Sequence, residues 1–249
     1  MNSGTQQIHF NRSLFDPATG TTNARQQMNQ ITSYIDGSNI YGSDTTRMNA
    51  LRTGANGMLK TSAGNMLPYN TMGLDNDNGP MGGNPADFFA AGDIRVNEQS
   101  GLTSMHTLFM REHNRVAQQF VDANLGLSDD EIFHRARKIV GAELQSITYN
   151  QWLPSLLDGD RLSEYTGYDS SVNAGITNEF STALFRLGHT ALSGTLMRVD
   201  ANGNVIADGN LPLRDAFFNP SRITDEGGID PLLRGLHHPG HAGDRQPDR

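Results

Sequence analysis

The sequence predicts a mainly α-helical fold, because it contains two long amphipathic segments and few strand signals. Residues 102–120 carry apolar side chains at helical spacing, which predicts a helix over residues 103–121. The sequence Ser-Asp-Asp-Glu at residues 128–131 is a capping-box pattern, and it precedes a second apolar-periodic run that reaches residue 147. Strand signals are confined to residues 195–206, where two short β-prone runs bracket Asn202-Gly203 and predict one hairpin.

Other segments complete the predicted order of elements. A first helix is expected from about Ala24 until the chain reaches Asp36, and residues 53–90 are rich in Gly, Asn and Pro and predict a long irregular excursion. Pro154 is expected to end the second long helix, and another helix is expected from about Thr177. The apolar positions of the first and last of these helices are Met28, Ile31 and Ile35, and Phe180, Leu184, Leu187 and Ala191.

Composition limits the classes of function. The 249 residues suffice for one large domain or two small ones, with a 36% hydrophobic fraction. A formal net charge of −8 without any Lys/Arg cluster argues against nucleic acid or an anionic membrane surface as a partner. No apolar run approaches the roughly 20 residues of a membrane span, and the N-terminus lacks the pattern of a secretory signal. The absence of cysteine excludes disulfides and thiolate ligands.

Several side chains are candidates for site chemistry, each with a structural alternative. Arg95 and Glu98 stand where a loop meets the helix of residues 103–121, as candidate site residues or as a solvated ion pair. His189 is expected within a helix beside Gly188, as a metal ligand or as a hydrogen-bonded structural residue. His106 and His113 are seven residues apart on one helix, so zinc binding is geometrically feasible, but no third ligand has suitable spacing and packing is favoured.

Residues 32–38, Thr-Ser-Tyr-Ile-Asp-Gly-Ser, alternate oxygen donors along the chain. Hydroxyl, carboxylate and carbonyl oxygens are the ligands that calcium prefers. The same residues could equally cap a helix terminus. From the residues alone, both interpretations stand.

Five segments together resemble the animal-type haem peroxidases. They are NQITSYIDGSNIYGSD (29–44), AGDIRVNEQSGLTSMHTLFMREHNR (91–115), ARKIVGAELQSITYNQWLP (136–154), FRLGHT (185–190) and EGGIDPLLRGL (226–236). The resemblance covers about residues 8–236 in order, which implies a peroxidase-type helical domain. Compactness and the lack of cysteine suggest a bacterial member.

The resemblance assigns roles to individual residues. It implies that His189 is the proximal ligand of haem iron and that Arg186 pairs with a haem propionate. Arg95 matches the distal arginine that helps to polarise hydrogen peroxide. Glu98 matches the glutamate that forms an ester bond to a haem methyl, and Gln99 replaces a methionine that forms a second link in some members. The implied cofactor is haem b, attached covalently through Glu98.

The same resemblance implies a calcium site. It is formed by the side chains of Thr32, Asp36 and Ser38 and the carbonyl of Tyr34.

Both ends of the matched region differ from the family pattern. The distal motif with its catalytic histidine is not matched, so the resemblance implies little turnover by this chain, since general acid–base catalysis contributes about 10²–10⁴-fold. Residues 237–249 read HHPGHAGDRQPDR, which we interpret as an aberrant, frameshifted tail. We therefore expect a partial peroxidase domain at residues 1–236, incomplete at both ends.

The resulting expectation is a haem-dependent peroxidase that uses hydrogen peroxide to oxidise a small reducing substrate. The alternatives are a catalytically dead fragment that binds calcium or haem, and a fatty-acid dioxygenase of the cyclooxygenase-like branch. The resemblance also implies an extracellular or secreted protein, although the chain has no signal sequence.

Overall fold

Helices dominate the architecture. The computed structural model describes residues 14–79, 82–157 and 162–237. The α-helices are α1 (Ser38–Tyr41), α2 (Thr45–Leu51), α3 (Ser100–Asp122), α4 (Asp129–Ile147), α5 (Leu153–Leu156), α6 (Asn178–Thr182), α7 (Ser221–Thr224) and α8 (Asp230–His237). Short 3-10 helices span Ala63–Asn65, Pro85–Asp87, Leu184–Ala191 and Leu213–Asp215. The strands β1 (Thr195–Leu196) and β2 (Leu211–Pro212) pair antiparallel, with Thr195 opposite Pro212.

Both predicted long helices form and pack against each other, although α3 begins at Ser100, three residues before its predicted start. At the start of α4 the Ser128 hydroxyl accepts a hydrogen bond from the Glu131 N–H at 3.3 Å, while the Glu131 carboxylate accepts one from the Ser128 N–H at 2.8 Å. This arrangement is the predicted capping box. The expected stop at Pro154 is wrong, because α4 continues through a π-helical turn at Thr148–Trp152 into α5. Pro154 lies in the first turn of α5, where a missing N–H is tolerated.

The buried face of α3 differs from the predicted apolar stripe. Met105 and Leu108 are 37% and 39% exposed, whereas Ser104 and Thr107 are completely buried. Each of these hydroxyls donates at 2.8 Å to the backbone carbonyl four residues earlier, so that burial leaves no unsatisfied donor. Small hydroxyl residues can therefore line the interior side of the helix.

The helix expected from Ala24 does not form. Three polar side chains in this segment accept hydrogen bonds from the backbone N–H two residues later: Asn29 from Ile31, Thr32 from Tyr34, and Asp36 from Ser38. Such local bonds compete with helical hydrogen bonding. The first helix is α1, which follows Gly37 in the left-handed region at φ 74°.

The predicted helix from Thr177 is only partly correct. Thr177 caps α6 by accepting a hydrogen bond from the Phe180 N–H at 3.3 Å, but α6 ends at Thr182. Ala183 then leaves helical geometry at φ −126° and ψ −67°, and residues 184–191 continue as a 3-10 helix that packs mainly on α6. Residues 181–192 are all exposed, so no burial of an apolar face stabilises a longer α-helix.

The predicted hairpin forms around its Asn-Gly turn. A single antiparallel bridge joins Val199 to Val205 across this turn, and the Asp200 carboxylate accepts hydrogen bonds from the N–H groups of Asn202 and Asn204. The paired strand partner of β1, however, is residues 211–212 rather than the run at 205–206.

One main hydrophobic core joins the helices to the irregular segments. Its fully buried large side chains are Tyr41, Phe89, Val96, Phe133, Val140, Leu211, Ile223, Ile229 and Leu232. The irregular excursion at residues 53–90 contributes Phe89 and so is part of the folded interior. Within the three described ranges, no helix has the length and apolar character needed to cross a membrane.

Candidate functional site

The loop at residues 91–98 is fastened to two helices. A Cβ atom on Gly92 would lie 2.2 Å from the Ser38 carbonyl oxygen, so that only glycine permits this close approach to α1. The Asp93 N–H donates to the Asn39 carbonyl at 3.1 Å, which adds a second attachment to α1. On the other side, the Thr103 hydroxyl of α3 donates to the Val96 carbonyl at 2.7 Å. The loop therefore has a fixed position relative to the core.

Within this loop Arg95 forms three hydrogen bonds with Asp93. The Arg95 Nε and Nη2 atoms donate to the two carboxylate oxygens at 3.0 and 2.7 Å, and the Arg95 backbone N–H donates to Oδ1 at 2.9 Å. The Asp93 side chain is only 12% exposed, whereas that of Arg95 is 51% exposed. Arg95 is thus paired with Asp93 rather than with Glu98, so the alternative of an Arg95–Glu98 ion pair is wrong.

This pairing shifts the ionisation of both groups. Burial by itself would raise the pKa of Asp93, but the hydrogen bonds and charge of Arg95 outweigh burial and lower it. The pKa of Arg95 is raised, chiefly by its hydrogen bond to Asp93, with added attraction from Glu98 and Asp77. Asp93 is therefore a carboxylate and Arg95 a cation at neutral pH.

Glu98 follows one turn after Arg95, and its backbone N–H donates to the Arg95 carbonyl at 2.8 Å. Its carboxylate has no hydrogen-bond partner among the described residues. Gln99 next to it caps α3, because its side-chain oxygen accepts a hydrogen bond from the Gly101 N–H at 2.6 Å. Gln99 therefore has a structural role at the position where some relatives are expected to have methionine.

The two histidines of α3 are packed in the interior, as the sequence favours. His113 lies between the Tyr41 hydroxyl, 2.9 Å from Nδ1, and the Gly57 carbonyl, 2.8 Å from Nε2. His106 is 4% exposed, with Nδ1 2.9 Å from the Leu102 carbonyl. No cluster of three or more metal-binding side chains occurs across residues 14–79, 82–157 and 162–237.

Arg186 and His189 lie on the exposed 3-10 helix of residues 184–191. Residues three apart on a 3-10 helix project in nearly the same direction, so these two side chains share one side of the segment. A Cβ atom on the intervening Gly188 would meet nothing within 4 Å. Among the described residues, hydrogen bonds and ion pairs link neither side chain to Arg95 or Glu98. The predicted residues therefore form two pairs of sequence neighbours, Arg95 with Glu98 and Arg186 with His189. Among the described residues, no hydrogen bond or ion pair joins one of these pairs to the other.

The residues predicted for calcium lie just before and at the start of α1. The Asp36 carboxylate accepts a hydrogen bond from the Ser38 N–H at 2.9 Å and forms an ion pair with Arg137 of α4 at 3.3 Å. The Thr32 hydroxyl accepts a hydrogen bond from the N–H of Tyr34, whose side chain is exposed. The segment offers oxygen ligands, and its one carboxylate is already opposite a cation.

Two clefts in the described part of the chain are lined by other residues. One of about 380 Å³ lies between residues 62–69 and 223–230, and its arginine, Arg111, already donates to the carbonyls of Asn65 and Gly64. Another of about 510 Å³ is lined by residues between 53 and 72. Neither contains a residue predicted for the site.

Comparison with known proteins identifies the family of this chain. The animal haem peroxidase family model matches residues 1–245. The chain belongs to the animal haem peroxidase family. It is 49% identical over 222 residues to the peroxidasin homolog of Mus musculus, a match that covers 85% of this chain and 15% of that protein. The chain thus spans a small part of the length of this relative.

Solved structures agree with this assignment. Peroxidase A from Dictyostelium discoideum superposes with a TM-score of 0.82 at 31% identity, and the match covers 94% of the present chain and 47% of the Dictyostelium chain. A fatty acid alpha-dioxygenase from Arabidopsis thaliana gives a TM-score of 0.67 at 22% identity, which shows a shared fold. The family resemblance and the mainly α fold predicted from the sequence are confirmed.

The side chains of the two pairs fit a haem group in their chemistry. They provide an imidazole, two guanidinium groups and a carboxylate, which match iron, propionates and peroxide oxygens. The imidazole of His189 lies beside open space at Gly188, and the guanidinium of Arg95 is half exposed. Sequence reasoning missed Asp93, although an aspartate two residues before the arginine in a turn is a recognisable signal for a local side-chain hydrogen bond.

Proposed function

We propose that this protein is a haem-dependent peroxidase that reduces hydrogen peroxide and oxidises a small donor. The observation that supports the proposal most strongly is the half-exposed guanidinium of Arg95, held on a fixed loop immediately before α3. When bound, haem supplies redox-active iron. The chain spans a small part of the length of the peroxidasin relative, and the activity is therefore a proposal.

Each predicted side chain has a defined task under this proposal. The His189 imidazole would bind the iron through a ring nitrogen, and the Arg186 guanidinium would pair with a propionate. Arg95 would donate hydrogen bonds to peroxide oxygens and stabilise the negative charge that develops as the O–O bond breaks. We also propose that the protein is extracellular, as the family resemblance implies.

Hemin reconstitution tests the assignment of His189. We expect a Soret band from the hemin-loaded wild-type chain and a shifted band with weaker affinity in His189→Ala. The matched control is His134→Ala, because His134 is an exposed histidine on α4, outside the 3-10 helix of residues 184–191. An unchanged Soret band and unchanged hemin affinity in His189→Ala would contradict the proposal.

Glu98 would form an ester with a haem methyl group. The link would replace one hydrogen of the carboxyl group and one hydrogen of the methyl group, and hydrogen peroxide would be the two-electron oxidant that takes them up as two waters. The carboxylate is suited to this reaction because no described residue binds it by a hydrogen bond. Denaturing chromatography after peroxide treatment should retain haem on the wild-type chain and lose it from Glu98→Gln. Equal retention by both proteins would refute the role of Glu98.

We also propose a weak calcium site formed by Thr32, Tyr34, Asp36 and Ser38. One carboxylate, shared with Arg137, places the affinity in the weak range of about 10⁻⁴–10⁻³ M. Removing the competing cation in Arg137→Gln should tighten binding by roughly thirtyfold, the factor for a unit charge ~4 Å from a divalent cation in water-like surroundings. Calorimetry measures both affinities.

Arg135→Gln is the control for this calcium experiment, because Arg135 is exposed on the same helix. A nanomolar affinity of the wild-type chain, or equal effects of both substitutions, would contradict the proposed site.

A further inference from the structure

The pairing of Arg95 with Asp93 divides the guanidinium into two functional edges. The Nε–Nη2 edge is occupied by the carboxylate, with distances of 3.0 and 2.7 Å. The two N–H groups of Nη1 have no hydrogen-bond partner among the described residues. A guanidinium has five N–H donors in a rigid plane, so fixing one edge also fixes the direction of the other.

We propose that Asp93 is a positioning residue, which holds Arg95 so that the Nη1 end of its guanidinium faces the ligand. The proposal deepens the proposed function, because it rests on Arg95 acting on a ligand of haem iron. It assigns a role to a residue that does not itself contact the ligand.

The burial of the two partners supports this division of roles. The Asp93 side chain is 12% exposed, and the Asp93 backbone N–H donates to the Asn39 carbonyl of α1. Asp93 is therefore part of the folded interior. The Arg95 side chain is 51% exposed and therefore extends from this interior toward solvent. An arginine that served only to neutralise a buried acid would gain nothing from leaving one edge exposed.

The nearby His106 does not compete with Arg95 for the Asp93 carboxylate. His106 of α3 lies close enough to interact electrostatically with both residues, and burial lowers the pKa of its imidazole, so that it is neutral at pH 7. A neutral imidazole does not compete with the guanidinium for the carboxylate. Its Nε2 atom is buried without a hydrogen-bond partner within the described part of the chain, so it does not tie up a carboxylate oxygen either.

The alternative is that the pair only stabilises the loop. Loss of the pair would then reduce stability without changing how Arg95 meets a ligand. The two possibilities differ in the behaviour of the Arg95 side chain and of the haem ligand, which can be measured separately.

Hydrogen exchange of the Arg95 Nε–H group, followed by NMR on the haem-free chain, tests the positioning itself. The resonance is assigned by its loss in Arg95→Lys. We expect exchange at least about tenfold slower than at Arg214, whose side chain is 86% exposed and 3.7 Å from its acidic neighbour. Similar exchange at the two arginines in the wild-type chain would overturn the proposal without any variant of Asp93.

Two matched variants refine this measurement. Asp93→Asn should accelerate Arg95 Nε–H exchange about tenfold, since it removes the charge and one of the two side-chain acceptors. Asp77→Asn removes a charge that also acts on Arg95 but accepts no hydrogen bond from it, and should leave exchange unchanged. Equal effects of the two substitutions would reduce the role of Asp93 to general electrostatics and refute the positioning.

Fluoride binding to the hemin-loaded chain tests the direction of the Nη1 end. Arg95→Gln and Asp93→Asn should each weaken fluoride binding about fivefold, the factor expected for one ordinary hydrogen bond, whereas Asp77→Asn should not. In the Arg95→Gln background, Asp93→Asn should have no further effect. Fluoride affinity that is insensitive to Arg95→Gln would show that Arg95 does not face the ligand.

The two measurements separate failure of the inference from failure of the proposed function. A chain that binds no hemin would contradict the proposed function, while the exchange experiment would still decide whether Asp93 fixes Arg95. Slow exchange combined with unchanged fluoride binding in Asp93→Asn would establish the pair as a loop-stabilising contact only, and would overturn the positioning role.

Discussion

Replacing His113 by phenylalanine should change how the stability of the fold depends on pH. The Gly57 carbonyl can only accept a hydrogen bond, so His113 donates through Nε2–H; in the neutral ring Nδ1 then accepts a hydrogen bond from the Tyr41 hydroxyl. This arrangement requires a neutral imidazole. Burial, with repulsion from Arg52 adding to it, lowers the pKa of His113 from 6.5 to about 4.

The magnitude follows from these two pKa values. In the unfolded chain the imidazole binds a proton below pH 6.5, whereas the folded chain does so only below about pH 4. The contribution of neutral His113 is therefore fully present above pH 6.5, is lost as pH falls from 6.5 to about 4, and is constant below that. At about 1.36 kcal/mol per pKa unit, the total loss is about 3 kcal/mol.

Urea unfolding followed by circular dichroism, repeated between pH 7 and 4.5, measures this effect. At pH 7 the phenylalanine variant should be less stable by about 1–3 kcal/mol for each of the two polar groups left unpaired, those of Tyr41 and Gly57. The gap should shrink by roughly 2–3 kcal/mol at pH 4.5. The pKa of His106 is also lowered by burial, but His106 is present in both proteins and its contribution cancels in the difference.

Stability curves that stay parallel over this pH range would refute the reasoning. Such a result would mean that His113 is protonated in the folded chain or that its site is hydrated.

Two further predictions concern the stability of the fold. Gly235→Ala in α8 should destabilise the fold by about 1–3 kcal/mol, because the new Cβ would lie 1.9 Å from the Met197 carbonyl oxygen. Gly141→Ala in α4 should stabilise the fold by about 0.5–1 kcal/mol, because its new Cβ would meet nothing within 4 Å. Thermal unfolding measures both effects. Arg198→Met should cost about 1–3 kcal/mol in urea unfolding, because Arg198 is 2% exposed and its loss leaves the Asp208 and Gly209 carbonyls without their donor, while Glu226 keeps its ion pair with Arg222.

Each of these predictions has a result that would contradict it. The same sign of effect for both glycine substitutions would show that the contacts of α8 and α4 do not differ as described. For the buried ion pair, a methionine variant as stable as the wild-type chain would mean that the arginine contributes little beyond its volume.

The start of α4 was predictable from sequence because its signals are local. Ser128 and Glu131 are three residues apart, and their reciprocal hydrogen bonds form whenever the chain turns into a helix. Thr177 likewise marked the start of α6 but could not fix its end, since helix length depends on the burial of an apolar face and residues 181–192 are exposed.

Family membership and the identity of Arg95, Glu98, Arg186 and His189 as candidates also came from the sequence, because motif order and spacing are properties of the chain itself. The partner of Arg95 could have been inferred from the aspartate two residues earlier. The exposure of the guanidinium could not, since it depends on how α1 and α3 fix the loop.

Only the tertiary structure decided the role of His113. The sequence places it on α3 with zinc binding and packing as alternatives, while its two partners are 72 and 56 residues away along the chain. The hydroxyl and the carbonyl that are hydrogen-bonded to its ring come from α1 and from the irregular segment after α2, and sequence periodicity carries no information on which distant groups meet. Local hydrogen bonds and helix caps are set by neighbouring residues, but the protonation state of a buried side chain is set by whichever distant groups the folded chain brings to it.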